Sequence, residues 1–374
     1  MGLLVKARTT TITEATLQLK GGMKKENPIE MTSSMLPAEW FPQSGVQITW
    51  PHSETDWKPW LEEVTEFYLR LAYHISSQEQ LIIATPTPQL VEELLKKRLP
   101  TKALDHIRLF ECPTNDTWTR DHGLICVRQD GKWLLKDFCF NGWGNKFSSE
   151  KDNQINAHLC ETNWLNGTYS NCNDFILEGG SIESDGRGTL LTTSCCLLNP
   201  NRNPHLSQQQ IEERLCKEFF LKRILWLHHG SLEGDDTDGH IDTLARFCPN
   251  DTIVYVSCND PNDSHYEELH LMEEELKSFR TLEDQPYNLV GLPMPRPIVE
   301  DGERLPATYA NFLITNNEVL LPTYRQPDRD EEAARILQEV FPERAIVPID
   351  SYVLIRQHGS LHCSTMQLPK GIVK

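Results

Sequence analysis

Apolar residues recur three and four positions apart in five stretches, each opened by residues that punctuate or cap a helix. The stretches begin near Pro88 ("PQLVEELLKKRL"), Asp152 ("DNQINAHLCETNWL"), Ser207 ("SQQQIEERLCKEFF"), Tyr266 ("YEELHLMEEELKSF") and Arg329 ("RDEEAARILQEVF"). Their starts lie 64, 55, 59 and 63 residues apart. Between them run short β-rich segments: "HIRLFEC", "DFILEGG", "GTLLTT", "ILWLH", "TIVYVS", "NFLIT", "EVLLP" and "AIVPID". This spacing predicts five diverged copies of one unit, a helix with several short strands. A ring of such units brings loops from every copy to a common axis. The alternative is an open α/β sheet with helices on both faces. No Ser/Gly-rich linker interrupts the pattern, so one domain is expected over residues 31–374. Residues 1–30 read as a leader and a candidate for disorder.

Composition narrows the class. The 374 residues are 39% hydrophobic and 24% charged, as in ordinary globular proteins. The longest apolar runs fall far short of the roughly 18 to 20 residues a membrane span needs. Gly2 is followed by Lys6 where an acylation signal has Ser or Thr, and the opening residues lack the apolar core of a secretory signal, so a cytoplasmic location is expected. The eleven cysteines include no Cys-x-x-Cys and point to reduced thiols. A net charge of −18 disfavours nucleic acid and anionic membranes and suits a cationic small molecule. Self-association into a homo-oligomer is left open.

Polar residues concentrate in four places. In "GDDTDGHIDTLARF", Asp235, Asp236, Asp238, His240 and Asp242 crowd together. A calcium loop fails there, because aligning Gly239 with the EF-hand glycine puts Gly234 and Ala245 where carboxylates are required. A zinc site lacks a second histidine at helical spacing. Were "HIDTLARF" a strand, His240 and Asp242 would share a face. In "TNDTWTRDHG", Trp118, Arg120 and Asp121 follow a turn, and a tryptophan among polar residues can wall a flat cation. In "LEGGSIESDGRG", Glu178 precedes two glycines that allow close approach of another chain segment. The fourth stretch is "HGSLHCSTMQLP", with Cys363.

A nucleophilic Cys363 needs a histidine or another positive field. Its neighbour His362 would point to the opposite face of a strand, which leaves His240 as the better partner. The surrounding carboxylates oppose an oxyanion but suit a guanidinium, a planar cation that two carboxylates can grip while sulfur attacks its central carbon.

With Cys363, His240, Asp121, Asp242 and Glu178 assembled, the chain resembles the agmatine deiminase and bacterial peptidylarginine deiminase family of the guanidino-group-modifying superfamily. The resemblance runs from "LPAEWFPQSGVQITWPH" to "HCSTMQLP" through "WTRD", "EGGSI", "LLTTSCCLLNPNRNPHLS", "GDDTDGHID" and "CNDPND", in the family's order. It implies a five-bladed α/β propeller, the pentein fold, with neither metal nor organic cofactor. It also implies the roles: Cys363 as nucleophile, His240 as general acid and then base, Glu178 as its orienting charge, and Asp121 and Asp242 as the guanidinium clamp. Trp118 would line the pocket and Asn311 would touch substrate or support the site. For agmatine, the products would be N-carbamoylputrescine and ammonia. "RDHGL" and "HGSLHC" depart from the usual "RDTGP" and "GGNIHC", so His122, His358 and Ser360 bear on the substrate's far end. Free or peptidyl arginine, amidino transfer to an amine, and non-catalytic binding of cations are the competing readings.

Overall fold

The structure, a computed structural model, describes residues 34–374, and the leader expected over residues 1–30 lies outside the described residues. The fold is mixed α/β, built from five small sheets of one recurring plan. In four of them two antiparallel strands are followed by a helix and a third strand parallel to the second. These sheets are Ile125–Gln129, Lys132–Cys139 and Thr168–Ile176; Ile182–Ser184, Thr189–Thr193 and Arg223–Leu227; Ala245–Cys248, Thr252–Ser257 and Asn288–Pro293; and Leu313–Ile314, Glu318–Thr323 and Ala345–Asp350. The helices between second and third strands are Asp152–Glu161, Gln208–Phe219, Tyr266–Ser278 and Pro327–Val340.

The remaining sheet has the same plan with its opening strand taken from the far end of the sequence. Thr365–Pro369 pairs antiparallel with Gln43–Thr49, which runs parallel to Gln80–Thr85 after the helix Leu61–Ser76. A fourth strand, Ile107–Glu111, extends this sheet. A two-stranded ribbon, Val299–Glu300 with Glu303–Arg304, stands apart.

Local chemistry accounts for these elements. Asp130 and Gly131, with φ of 48° and 81°, make a left-handed two-residue turn between the first antiparallel pair. Ser207 caps the helix Gln208–Phe219, its hydroxyl accepting from the Gln210 N–H while the Gln210 side chain accepts from the Ser207 N–H. That helix buries Ile211, Leu215 and Phe219 on one face.

Two expectations change. The five-unit pattern holds, but its first helix is Leu61–Ser76, and the predicted helix at Pro88–Arg98 belongs to the added crossover leading to Ile107–Glu111. The 64-residue interval was therefore a coincidence of that insertion. Leu61–Ser76 carries the same periodicity, burying Val64, Phe67, Tyr68, Leu71, Ala72 and Ile75. Second, "HIDT" and "HCS" are not strands: Ile241–Thr243 and His362–Ser364 are single 3-10 turns that enter strands.

Those turns matter for position. Asp121 lies in the turn Thr119–His122 before Ile125–Gln129, and Glu178 immediately precedes the turn Gly179–Ser181 before Ile182–Ser184. His240 and Asp242 sit at the turn before Ala245–Cys248, Asn311 just before Leu313–Ile314, and Cys363 in the turn before Thr365–Pro369. Each of the five units thus presents its chemistry where the chain enters the opening strand.

Candidate active site

The entry turns pack against one another, and Gly180 marks where they meet. A Cβ atom there would lie 2.6 Å from His240 Nδ1, 2.8 Å from Asp121 Oδ1 and 3.3 Å from Asp242 Oδ2. Residues 121, 240 and 242, drawn from two units, therefore converge on a point that a third unit keeps open with glycine. The Asp121 Oδ1 accepts from the Gly180 N–H at 3.1 Å, and its Oδ2 accepts from Trp143 Nε1 at 2.9 Å. His240 Nδ1 stands 3.5 Å from Asp121 Oδ1.

Cys363 approaches from the fifth turn. Its Sγ lies 3.7 Å from Asp242 Oδ2 and 3.4 Å from Asn311 Oδ1. Asn311 ties the turns together: its Oδ1 accepts from the N–H groups of His362 and Cys363 at 2.9 and 3.3 Å, and its Nδ2 donates to Asp242 Oδ2 at 3.1 Å. It supports the site from behind and is fully buried.

All of these groups are buried, which sets the electrostatics. Burial lifts the Asp121 carboxyl to about 6, with nearby His240 opposing the rise and Asp242 adding to it. Asp242 is also opposed by burial, yet its hydrogen bond from His362 holds it below the usual carboxylate range. The Cys363 thiol is pushed well above its ordinary value by burial, then by Asp242 and Asp121. Among the described residues, both ring nitrogens of His240 and the Asp242 Oδ1 have no hydrogen-bond partner. Three orphaned polar atoms in one buried spot are costly unless a polar ligand meets them.

A cleft of about 670 Å³, its open mouth included, leads to Cys363 and Asp121. Trp118, Trp143 and Phe147 wall it, and Asp116, Asp236, Arg356 and His358 also line it. Trp118 packs on Trp57, ring centroids 5.6 Å apart, and a Cβ at Gly359 would meet its ring at 2.4 Å. Arg356 is already bound, with Nε on both Glu300 oxygens and Nη1 on Glu63 Oε2 at 2.8 Å.

The three unusual residues separate. His358 is at the cleft, its Nδ1 2.7 Å from the Gly234 carbonyl. Ser360 is buried against the Tyr324 hydroxyl at 2.8 Å, and His122 is buried beside Thr49, its imidazole pushed down to about 3 by burial. Only His358 of the three can meet a substrate's far end.

Glu178 lies close behind His240 but is held by Arg202, whose Nε donates to both carboxylate oxygens at 3.0 Å. Glu178, Cys196 and His240 offer ligand atoms within 4.8 Å of one another, but the Arg202 guanidinium already supplies the positive charge that a metal ion would bring.

Sequence reasoning missed several supporting residues. His362 sends Nδ1 to Asp242 Oδ2 at 2.7 Å and Nε2 to Glu39 Oε1 at 2.8 Å. The Arg246 Nη2, a donor only, also stands 3.1 Å from Nε2, and burial with the Arg120 and Arg246 charges holds the imidazole below its ordinary range. Arg246 bonds Glu39 and Glu183, and Arg120 lies on Glu39 at 3.1 Å. Strand alternation was thus the wrong reason for setting His362 aside; its ring is engaged with Asp242 and Glu39. Trp143 had a legible signal in "NGWGN": it and both flanking glycines take positive φ, which aims the indole at Asp121.

Known proteins resemble this chain over most of its length. The family model described as Porphyromonas-type peptidyl-arginine deiminase matches residues 35–369. A Marinomonas protein with the provisional name agmatine deiminase is 33% identical over 358 residues, covering 90% of this chain and 94% of its own length. A Legionella pneumophila protein of the same provisional name is 34% identical over 341 residues, covering 90% and 95%. Among solved structures, a Porphyromonas gingivalis protein provisionally named arginine deiminase shares 47% identity at a TM-score of 0.87, covering 91% of this chain and all of its own. A Cys-to-Ser variant of C. jejuni agmatine deiminase with substrate bound shares 40% identity at a TM-score of 0.83, covering 90% and 97%. On the sequence match alone, spanning almost every described residue, the chain belongs to the Porphyromonas-type peptidyl-arginine deiminase family.

Proposed function

We propose that the protein hydrolyses the guanidinium of agmatine to N-carbamoylputrescine and ammonia, on five sheet units closed as a five-bladed propeller in a single domain of a cytosolic protein. The observation that carries this reading is the convergence of Asp121, Asp242 and His240 on the Gly180 position, within reach of the Cys363 turn. Two carboxylates and a sulfur fit a planar cation. The membership of a deiminase family supports a hydrolase acting on guanidino C–N bonds.

The chemistry follows from the charges. Before substrate arrives, burial and then the two carboxylates disfavour a thiolate at Cys363. A guanidinium between them offsets the field of the carboxylates, so the bound cation itself promotes transfer of the thiol proton to His240. The sulfur attacks the guanidinium carbon, and a C–S bond forms. His240 gives a proton to the departing nitrogen, which leaves as ammonia and yields an amidino thioether on Cys363. His240 then takes a proton from water, the hydroxide adds to the same carbon, and the C–S bond breaks as the adduct's hydroxyl proton passes to the Cys363 sulfur; the ureido product leaves and His240 gives up its proton to ammonia, which departs as ammonium.

The cleft favours an amine-ended substrate. Asp236 lines it, whereas its arginine, Arg356, is held by Glu300 and Glu63. A substrate carboxylate would be repelled by Asp236 and would find the arginine already paired. Arginine or an arginyl peptide is the second reading, favoured by the family's description. The test is to incubate the protein with agmatine, arginine and an arginyl peptide and to measure ammonia and ureido product. Agmatine should give the highest kcat/KM, and Cys363→Ala should abolish turnover. Full activity in that variant sinks the mechanism.

A further inference from the structure

Apart from its 3.5 Å approach to Asp121 Oδ1, the His240 ring has no side-chain hydrogen bond among the described residues, so its place depends on its backbone and on packing. That backbone is unusual. Asp238 and Gly239, immediately before it, both have positive φ, 64° and 83°. Such a left-handed pair is strained at an aspartate and persists only where surroundings fix it.

Lys146 holds Asp238 Oδ1 at 2.8 Å and Asp235 Oδ2 accepts from the Gly239 N–H at 2.7 Å, but Arg202 is the group that joins this turn to Glu178. Its side chain is wholly buried. Nη1 donates to Asp238 Oδ2 at 2.7 Å, Nη2 to the Thr237 carbonyl at 2.8 Å, and Nε to both oxygens of Glu178. Nη1 also reaches Asn201 Oδ1, whose Nδ2 meets Asp238 Oδ2 at 3.2 Å. One planar fork thereby joins the carboxylate behind His240 to the turn that presents it.

We propose that Arg202 is a positioning residue for the deiminase reaction, clamping Glu178 to the Thr237–Asp238 turn and so fixing where the His240 ring stands. This inference rests on the reading of His240 as the proton donor. The groups facing that ring are Asp121 and Asp242 on the cleft side and Glu178 and Cys196 behind it. Arg202 touches neither cleft nor substrate, so its loss acts on turnover and not on binding.

Two variants separate charge from geometry. Arg202→Lys keeps the charge but cannot span three partners; kcat per folded enzyme should fall about 10²-fold, the usual effect of a displacement near 1 Å, with KM within about twofold. Arg202→Gln removes the charge as well. Glu178 is then uncompensated beside the imidazole, which holds its proton more tightly, so the His240 limb of the kcat profile should move to higher pH. A merely structural role would lower Tm and folded yield without moving that limb. Should neither variant fold, Asp238→Asn, at a partly exposed partner, should give a smaller kcat loss at unchanged KM. Wild-type kcat in the folded Lys variant, or in the Asp238 variant where that decides, overturns the inference alone. A wild-type protein that releases no ammonia from any guanidine overturns the functional reading and this inference together.

Discussion

A methyl group at residue 180 would stand on the point where His240 and Asp121 converge, closer to both than carbon atoms are found in folded proteins. Gly180→Ala should therefore lower kcat/KM by at least about 100-fold while far-UV circular dichroism stays near wild type; an active Ala variant would mean that the convergence does not form the site. Asp121 gives a second test. Its carboxyl, lifted to about 6 by burial, is neutral below that pH and anionic above it. Only the anion attracts a guanidinium, so kcat/KM should fall about tenfold per unit as pH drops below about 6. A profile flat from about pH 5 to about pH 7 would refute the clamp. At this scale the sequence exposed residues whose chemistry is rare in context, such as Trp118 among polar neighbours or Glu178 before two glycines. It did not expose Arg202, Glu39 or Arg246, and it set His362 aside for the wrong reason. Each acts through an ion pair with a residue more than 20 positions away, and nothing local distinguishes such an arginine from one on a solvated face.

Elements were legible where a local rule governs them. Ser207 and Gln210 announce a helix start, and the structure forms the reciprocal cap. Ser207→Ala should cost about 1 kcal/mol, lowering Tm by about 2 °C in calorimetry with KM unchanged; a shift in KM would show that this helix is coupled to the cleft. The helix Leu61–Ser76 obeyed the same periodicity as its counterparts but was overshadowed by Pro88–Arg98, which fitted the interval without belonging to the repeat. Interval and periodicity cannot tell a repeated helix from an inserted one; strand pairing can. His240 with Asp242, and His362 with Cys363, were read by strand alternation, whereas they lie in or at the start of the 3-10 turns that precede the strands. A turn of three residues has no periodicity to read.

For the whole molecule, the pairing of Thr365–Pro369 with Gln43–Thr49 supplies the opening strand of the first sheet. A chain cut before Thr365 would leave that sheet without its edge partner and should lose cooperative melting, monitored by circular dichroism; a cooperative transition at the wild-type Tm would contradict this account of the first sheet. The pairing also joins segments more than 300 residues apart, so it forms only after most of the chain is available. In chain order Cys363 follows every other residue of the candidate site. A chain interrupted before it carries the carboxylates and the imidazole but lacks the sulfur that the proposed reaction needs. On that reading, reactivity toward guanidines is withheld until synthesis has passed Cys363, a form of temporal control set by chain order.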